Sequence, residues 1–178
     1  CMHNSQAECG RNYFDLWELY RLHIVNVLDV SFIEMHVMEQ KKQVLFFKET
    51  LLKKQLTVPA HRTFLAEHGY DESYDLKECL EVLRKRYRNK NFPHEIGIFL
   101  GYPLKDVRGF VERKEVAMPH TGRWRIYGNA ELSLRLMTLY AKAEEIFSRM
   151  IEEKENVSVQ FVNTIKGSFQ LALSGCVA

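Results

Sequence analysis

The segment FPHEIGIFLGYPLKDVRGFVE, residues 92–112, decides the fold because it predicts two short helices joined by a tight turn. Pro93 and Pro103 each stand where a helix accepts proline, in its first turn. Gly101 separates the two helices, and with so short a connection it should adopt a positive φ, which glycine reaches without steric cost. The apolar spacing turns a shared set of side chains inward: Ile96, Phe99, Leu100, Leu104, Val107, Phe110 and Val111.

Helical spacing of apolar residues continues on both sides of this segment. Upstream, a single apolar stripe over 76–87 predicts an amphipathic helix, and Asp75 with Glu78 three residues later matches a capping box. Downstream, the longest helix is predicted over 130–154. Further helices are predicted over 12–28, 48–56 and 59–68, the last beginning at Pro59 and ending before Gly69.

Alternation of apolar and polar side chains marks the strands. In FIEMHVM, residues 32–38, apolar side chains alternate with Glu34 and His36, and the polar turn EQKK separates this run from QVLFF, residues 43–47. Together the two runs predict a hairpin. RWRIY, residues 123–127, predicts a third strand in the same sheet, and VSVQFV, residues 157–162, predicts a fourth.

These elements predict an α+β fold, mainly helical, with a small and mostly antiparallel sheet of three to four strands. Helices outnumber strands, and the strands occur singly or as a hairpin, which argues against a doubly wound parallel sheet. At 178 residues the chain fits a single domain over 1–178. The segments 1–11 and 170–178 are expected to be loosely ordered termini.

Composition narrows the class of protein. The 25 basic against 23 acidic residues leave a net charge of +2, which removes the simplest electrostatic argument for nucleic-acid or membrane-surface binding. No apolar run reaches the roughly 20 residues that span a bilayer, and the first ten residues do not resemble a signal peptide. The four cysteines are far apart and include no C-x-x-C pair, so we expect free thiols and a cytoplasmic location.

Familiar catalytic patterns do not occur in this chain. The sequence contains no G-x-S-x-G elbow, no P-loop and no G-x-G-x-x-G. Seven histidines are present, but none has the H-x-x-x-H spacing of a zinc helix. An enzymatic role is therefore not favoured, and the sequence assigns neither a cofactor nor a metal.

The candidate ligand-binding residues are grouped around the start of the first short helix. His94 follows Pro93, where the helix dipole favours the neutral imidazole that ligates metals or haem. The interpretation that the sequence favours is instead that His94 and Glu95 cap backbone amides and tie the helix to the sheet, with the His94 ring buried. If a site exists, Glu95 would orient His94, and the walls would be Tyr102, Trp124 and Tyr127, whose rings could instead be ordinary core aromatics.

The corner at 93–112 also resembles a helix-turn-helix, which gives the alternative function of DNA binding. The second helix of that motif enters the major groove with its N-terminal side chains. Here the cationic side chains would be Lys105 and Arg108, with Asp106 facing phosphates and a basic helix end supplying further contacts from Arg84, Arg86 and Arg88. A leucine, an acid and a glycine on the reading face make this a poor DNA-binding surface, so nucleic acid is not the favoured partner.

Three strings carry a resemblance to a known family: FLAEHGYDESYDLKECLEVLRKR, FPHEIGIFLGYPLKDVRGFVE and GRWRIYGNAE. Over about residues 39–151 they resemble a bacterial family, the domain of unknown function 3793. The resemblance implies a small cytoplasmic protein of an anaerobic bacterium, and a binding or interaction module auxiliary to flavodoxin-linked redox or iron and haem metabolism. A flavodoxin-like protein is the partner it implies. The first thirty residues lack the N-terminal segment expected of that family.

Overall fold

The computed structural model of the protein describes residues 2–3, 12–39, 41–88, 92–116, 118 and 122–152. Strands and helices follow one another along the chain in this order: β1 Met2–His3, α1 Tyr13–Leu28, β2 Ser31–Met38, β3 Lys41–Phe47, α2 Glu49–Thr57, α3 Pro59–Ala66, α4 Leu76–Arg88, α5 Ile96–Phe99, α6 Leu104–Val111 and α7 Glu131–Glu152. Helices dominate, as predicted, and α7 is the longest helix in the described part of the chain.

The predicted hairpin is confirmed. β2 and β3 pair antiparallel with Phe32 opposite Phe46, and an irregularity between Glu34 and His36 shifts the register by one residue. β1 adds only a two-residue segment to the outer edge of β3. The alternating sequence of both long strands explains the pairing, because one face can turn to the core while the other meets α1.

Apart from the two-residue β1, the sheet of the described residues consists of β2 and β3, so the prediction of three to four strands is wrong there, and 123–127 does not join the sheet. Its backbone pairs only through an isolated bridge between Ile126 and Met118. The Tyr127 amide donates to the Asp106 carboxylate, and its carbonyl accepts from Lys105, so side chains take the place of a neighbouring strand. The predicted fourth strand at 157–162 lies outside the described residues, as does the segment 170–178.

The sheet separates two layers. On one face Trp17 of α1 contacts Phe32 and Phe46 edge-on, and its indole Nε1 donates to Glu34 Oε1 over 2.8 Å. On the other face Met35 and Leu45 enter the main core. That core is completed by buried side chains of α2 to α6 and the loop after α3: Leu52, Leu56, Phe64, Leu65, Tyr70, Cys79, Leu80, Leu83, Ile98, Phe99 and Val107.

Local capping sets where the helices begin. Asn12 caps α1, with its side-chain oxygen 2.7 Å from the Phe14 amide. Asp75 and Glu78 form the predicted capping box: the Asp75 carboxylate accepts from the Glu78 amide over 2.9 Å, and the Glu78 carboxylate accepts from the Asp75 amide over 2.8 Å. Two otherwise unpaired amides are thereby satisfied at the start of α4.

The predicted turn between α5 and α6 is confirmed, but two of the residues predicted to point inward are exposed. Gly101 has φ +77°, as the short connection requires. Ile98 is fully buried, whereas Leu100 and Phe110, which the apolar spacing placed inside, are 40% and 39% exposed. The buried residues of α6 are Asp106, Val107 and Gly109, whereas Phe110 stands in its last turn, against His94 and Arg125 at the surface.

Replacing Gly101 with valine should lower the free energy of unfolding by about 1–3 kcal/mol, because a branched side chain is strained at positive φ. A Cβ at this position would also come within 2.7 Å of the Tyr140 hydroxyl. Gly69→Val is the matched control, since Gly69 has φ +88° and no atom within 4 Å of its Cβ position. Urea unfolding of both variants separates the backbone strain, which both share, from the contact with Tyr140, which only Gly101→Val makes. An unchanged unfolding midpoint for Gly101→Val would contradict the left-handed turn.

Candidate functional site

A buried carboxylate, Asp106, forms the most connected polar cluster in the described structure. It is 2% exposed, and its oxygens accept hydrogen bonds from three directions. The Trp124 indole Nε1 donates over 2.9 Å, the Tyr127 amide over 2.9 Å and the Ser133 hydroxyl over 2.5 Å. Because Ser133 lies in the first turn of α7 and Asp106 in α6, the cluster fastens the longest helix to the corner.

Lys105 supplies the positive charge that this buried acid needs. Its Nζ donates to Asp106 Oδ1 over 2.6 Å, to the Tyr127 carbonyl over 2.9 Å and to Ser133 Oγ over 2.7 Å. The ammonium group therefore uses all three of its protons inside the protein. Because every hydrogen-bond donor and acceptor of this cluster has a partner, the cluster has no open position for a ligand. Its role is structural, since it connects α6 with Tyr127 and with Ser133 of α7.

A second buried carboxylate, Glu95, lies in the FPHEIG string. It is 1% exposed, and it accepts hydrogen bonds from the Arg86 guanidinium and, over 3.2 Å, from the Tyr70 hydroxyl. Burial and the nearby Glu95 charge raise the pKa of Tyr70, while the hydrogen bond to Glu95 raises the pKa of Arg86. The Glu95 carboxylate thus ties α4 to the corner, and it faces Arg86 and Tyr70 where the sequence suggested that it would orient His94.

The predicted aromatic walls lie against one another. Tyr102 stacks on Trp124 with ring centroids 4.3 Å apart and planes 21° apart, and Tyr140 meets the edge of Trp124. Burial raises the pKa of Tyr102 and raises that of Tyr140 to about 12. Tyr127 is buried beside the Asp106 cluster. Tyr102 and Trp124 are stacked directly on each other, so no ring fits between these two, and a ligand-binding role for the aromatic walls stays a prediction.

His94 has a different environment from the other candidate residues, because it is exposed. Its ring lies 5.7 Å from the centroid of Phe92 and 4.8 Å from that of Phe110. Phe92 is 50% exposed and Phe110 39% exposed, so the three rings form a continuous surface that we call the aromatic patch. The expectation of a buried histidine that caps the backbone does not hold.

One cation lies against the aromatic patch, and a second follows a residue that packs on the patch. The Arg125 guanidinium lies 5.8 Å from the centroid of Phe110, a cation–π distance. Arg88 follows Tyr87 at the end of α4, and the Tyr87 ring packs 5.0 Å from Phe92. Both arginines are exposed, and neither has a carboxylate partner among the described residues. An apolar, aromatic and positively charged surface therefore faces solvent at one end of the corner.

Most of the cations proposed for DNA binding are engaged within the protein. Arg84 pairs with Glu81 over 2.6 Å, and Arg86 with Glu95. Arg108 lies over the Phe64 ring and pairs with Glu67 and Glu112, which directly follow α3 and α6, and Lys105 belongs to the Asp106 cluster. Asp106 is buried, so it cannot face phosphates. Of the five cations, Arg88 alone has no carboxylate partner in the described ranges, and duplex binding stays the alternative function that the sequence did not favour.

Sequence reasoning assigned Asp106 to a phosphate-facing surface and did not single out Ser133, although the two residues join α6, 123–127 and α7. The spacing Pro103, Asp106, Gly109 was the available signal, because residues three apart share a helix face and two of these three are small or rigid. A face of that kind accepts close approach of another segment. A carboxylate on such a face is expected to accept its hydrogen bonds from buried protein donors and not from water.

Metal ligation is not apparent in the described ranges, where no group of three or more His, Cys, Asp and Glu side chains converges. Across those same residues, no helix has both the length and the apolar character needed to cross a bilayer.

Comparison with known proteins places the chain in a family. No curated protein and no solved structure matches it. One family profile matches residues 5–159, which includes the predicted interval of about 39–151 and extends it over α1 and the first half of the sheet. The N-terminal departure noted in the sequence therefore does not exclude that region from the family. The chain belongs to the family described as Protein of unknown function (DUF3793).

Proposed function

We propose that this protein is a non-catalytic interaction module that docks a partner protein on the aromatic patch of Phe92, His94 and Phe110. The observation that carries the proposal is that the three rings contact one another in sequence and yet remain exposed. Aromatic side chains are enriched at the energetic centres of protein interfaces, because they bury a large area at a small entropic cost.

The charge beside the patch indicates the kind of partner. Arg125 lies 5.8 Å from the Phe110 ring centroid, Arg88 is exposed at the end of α4, and neither has a carboxylate partner among the described residues, so their charges are available to a second molecule. A negatively charged protein surface would complement them and would gain both affinity and association rate. The partner that the sequence resemblance implies is a flavodoxin-like protein, and a supporting role in redox or iron metabolism follows from that pairing.

Single replacements in the patch should weaken docking without unfolding the protein. Phe92→Ala and Phe110→Ala are each expected to raise the Kd for purified FMN-loaded flavodoxin by about tenfold or more, as expected of central interface aromatics. His94→Ala should act in the same direction but less strongly. Because these side chains are exposed, the free energy of unfolding should change by no more than about 0.5 kcal/mol. Isothermal titration calorimetry and urea unfolding check the two expectations.

Tyr20→Ala is the matched control, since Tyr20 is an aromatic residue of similar exposure on α1. Its Kd should equal that of the unaltered protein. Arg125→Glu should slow association with flavodoxin and reverse the salt dependence of the association rate, because it replaces a charge that attracts the partner with one that repels it. If the patch variants bind flavodoxin as tightly as the unaltered protein, the proposed surface is wrong. If instead they lose binding to a single-stranded oligonucleotide, the patch is a stacking platform for nucleic acid.

A further inference from the structure

A cleft separate from the aromatic patch opens between α2, α3, the loop after α3 and the start of α4. Its volume is about 260 Å³. Leu56 and Thr57 line it from α2, Arg62 and Leu65 from α3, and Tyr74 from the loop. The cleft exists because α2 and α3 meet at Pro59, while the capping box fixes the direction in which α4 leaves the loop.

The floor of the cleft is apolar. Leu56, Leu65, Tyr70 and Cys79 lie beneath it, and each is at most 7% exposed in the whole protein. Burial raises the pKa of the Cys79 thiol, so it stays protonated at neutral pH and forms part of the wall. Such a floor binds a hydrocarbon surface by excluding water and offers no nucleophile for covalent chemistry.

Five charged residues line the rim, and most of them already have partners. Asp71 accepts hydrogen bonds from the amide and hydroxyl of Ser73, and Asp75 accepts from the amide of Glu78. Lys53 pairs with Glu49 over 3.5 Å, and Glu72 is exposed, with its backbone carbonyl accepting from Arg62. These contacts leave the remaining member of the rim, Arg62, as the group with most free hydrogen-bonding capacity.

Arg62 is held at the rim by one hydrogen bond, from its Nη1 to the Glu72 carbonyl over 2.8 Å. A guanidinium group has five N–H donors, so the others remain open. It has no carboxylate partner among the described residues, and its charge acts on the Cys79 thiol at the floor. A carboxylate at the mouth of the cleft would therefore find a planar donor above an apolar surface.

We infer that this cleft binds a small amphiphilic carboxylate, with one hydrocarbon ring on the Leu56–Leu65–Cys79 floor and the carboxylate on Arg62. The volume of the cleft supports this class of ligand. A cavity of about 150 Å³ holds benzene, whereas the pockets of drug-sized ligands measure roughly 300 Å³ and more. The cleft at about 260 Å³ lies between these limits. A single ring with a short acidic side chain fits it.

Phenylacetate and benzylamine form a matched pair of probes, alike in ring and size and opposite in charge. In amide NMR titrations of the full chain, phenylacetate should shift the resonances of residues that line the cleft, and these shifts should reach a plateau as its concentration rises. Arg62→Ala should weaken phenylacetate binding about tenfold, the scale of one charge-assisted hydrogen bond. Arg62→Lys should retain part of the affinity, because the positive charge remains while the fork of donors is lost.

Thr57→Trp should abolish phenylacetate binding, since Thr57 is exposed, lines the cleft and can place an indole over the floor without disturbing the core. Lys54→Ala is the control, an exposed cation of the same helix that does not line the cleft. It should bind phenylacetate normally. Benzylamine binding as tight as that of phenylacetate would overturn the assignment of an acid. Binding that survives Thr57→Trp, or shifts confined to the aromatic patch, would overturn the site itself.

Discussion

Replacing Asp106 with alanine should lower the free energy of unfolding by about 3–5 kcal/mol, the cost of removing one partner from a buried ion pair. The change leaves the Lys105 ammonium, the Trp124 indole, the Tyr127 amide and the Ser133 hydroxyl without their acceptor. Water cannot readily replace it, because Asp106 is 2% exposed and Ser133 is fully buried. Urea unfolding followed by far-UV circular dichroism measures the loss.

Glu67→Ala is the control for this prediction. Glu67 is also an acid paired with a cation, Arg108, but it is exposed and the pair is 3.3 Å long. An exposed pair of this kind is worth about 0–1 kcal/mol. Asp106→Asn should fall between the two, since the amide keeps the shape and can still accept but loses the charge opposite Lys105. Equal midpoints for Asp106→Ala and Glu67→Ala would show that the cluster does not hold α7 in place.

The hairpin, α1, the capping box at Asp75 and the turn at Gly101 could be predicted because each depends on neighbouring residues. Alternation over 32–38, followed by a polar turn and the β-prone run 43–47, favours a hairpin with one face buried, and the spacing of Asp75 and Glu78 leaves one way to cap α4. The segment 123–127 alternates just as well. Its backbone is satisfied by Asp106 and Lys105, which are near in space and distant in sequence, and no local pattern reveals that.

In the candidate site, too, the features that depend on residues distant in sequence could not be predicted. His94 and Glu95 are adjacent in sequence, yet one is exposed beside Phe110 and the other is buried against Arg86 and Tyr70. Which of two neighbours points inward depends on contacts distant in sequence, and for Glu95 these are with Arg86 and Tyr70. The apolar spacing favoured Phe110 as an inward residue of α6, but it stands in the last turn and is 39% exposed. The inward face of α6 instead brings Gly109 close to Tyr127, which fixes how this helix packs on 123–127.

Gly109→Ala tests that explanation with a change that should ordinarily stabilise a helix. Alanine is favoured over glycine inside a helix by about 1 kcal/mol, and Gly109 lies within α6. A Cβ at this position would, however, lie 2.3 Å from Cγ and 2.7 Å from Cβ of Tyr127. These atoms are at the root of a buried side chain whose own backbone is bonded to Asp106, so they cannot move aside. We expect a net loss of stability of about 3 kcal/mol, the upper range of overpacking costs.

A double-mutant cycle with Tyr127→Ala distinguishes this contact from any general fragility of α6. Removing the Tyr127 ring eliminates the contact at Cγ but leaves the one at Cβ, so Gly109→Ala should become less costly without becoming favourable. The two changes should therefore be non-additive by about 1–3 kcal/mol in urea unfolding. Additive losses would mean that Gly109 does not face Tyr127.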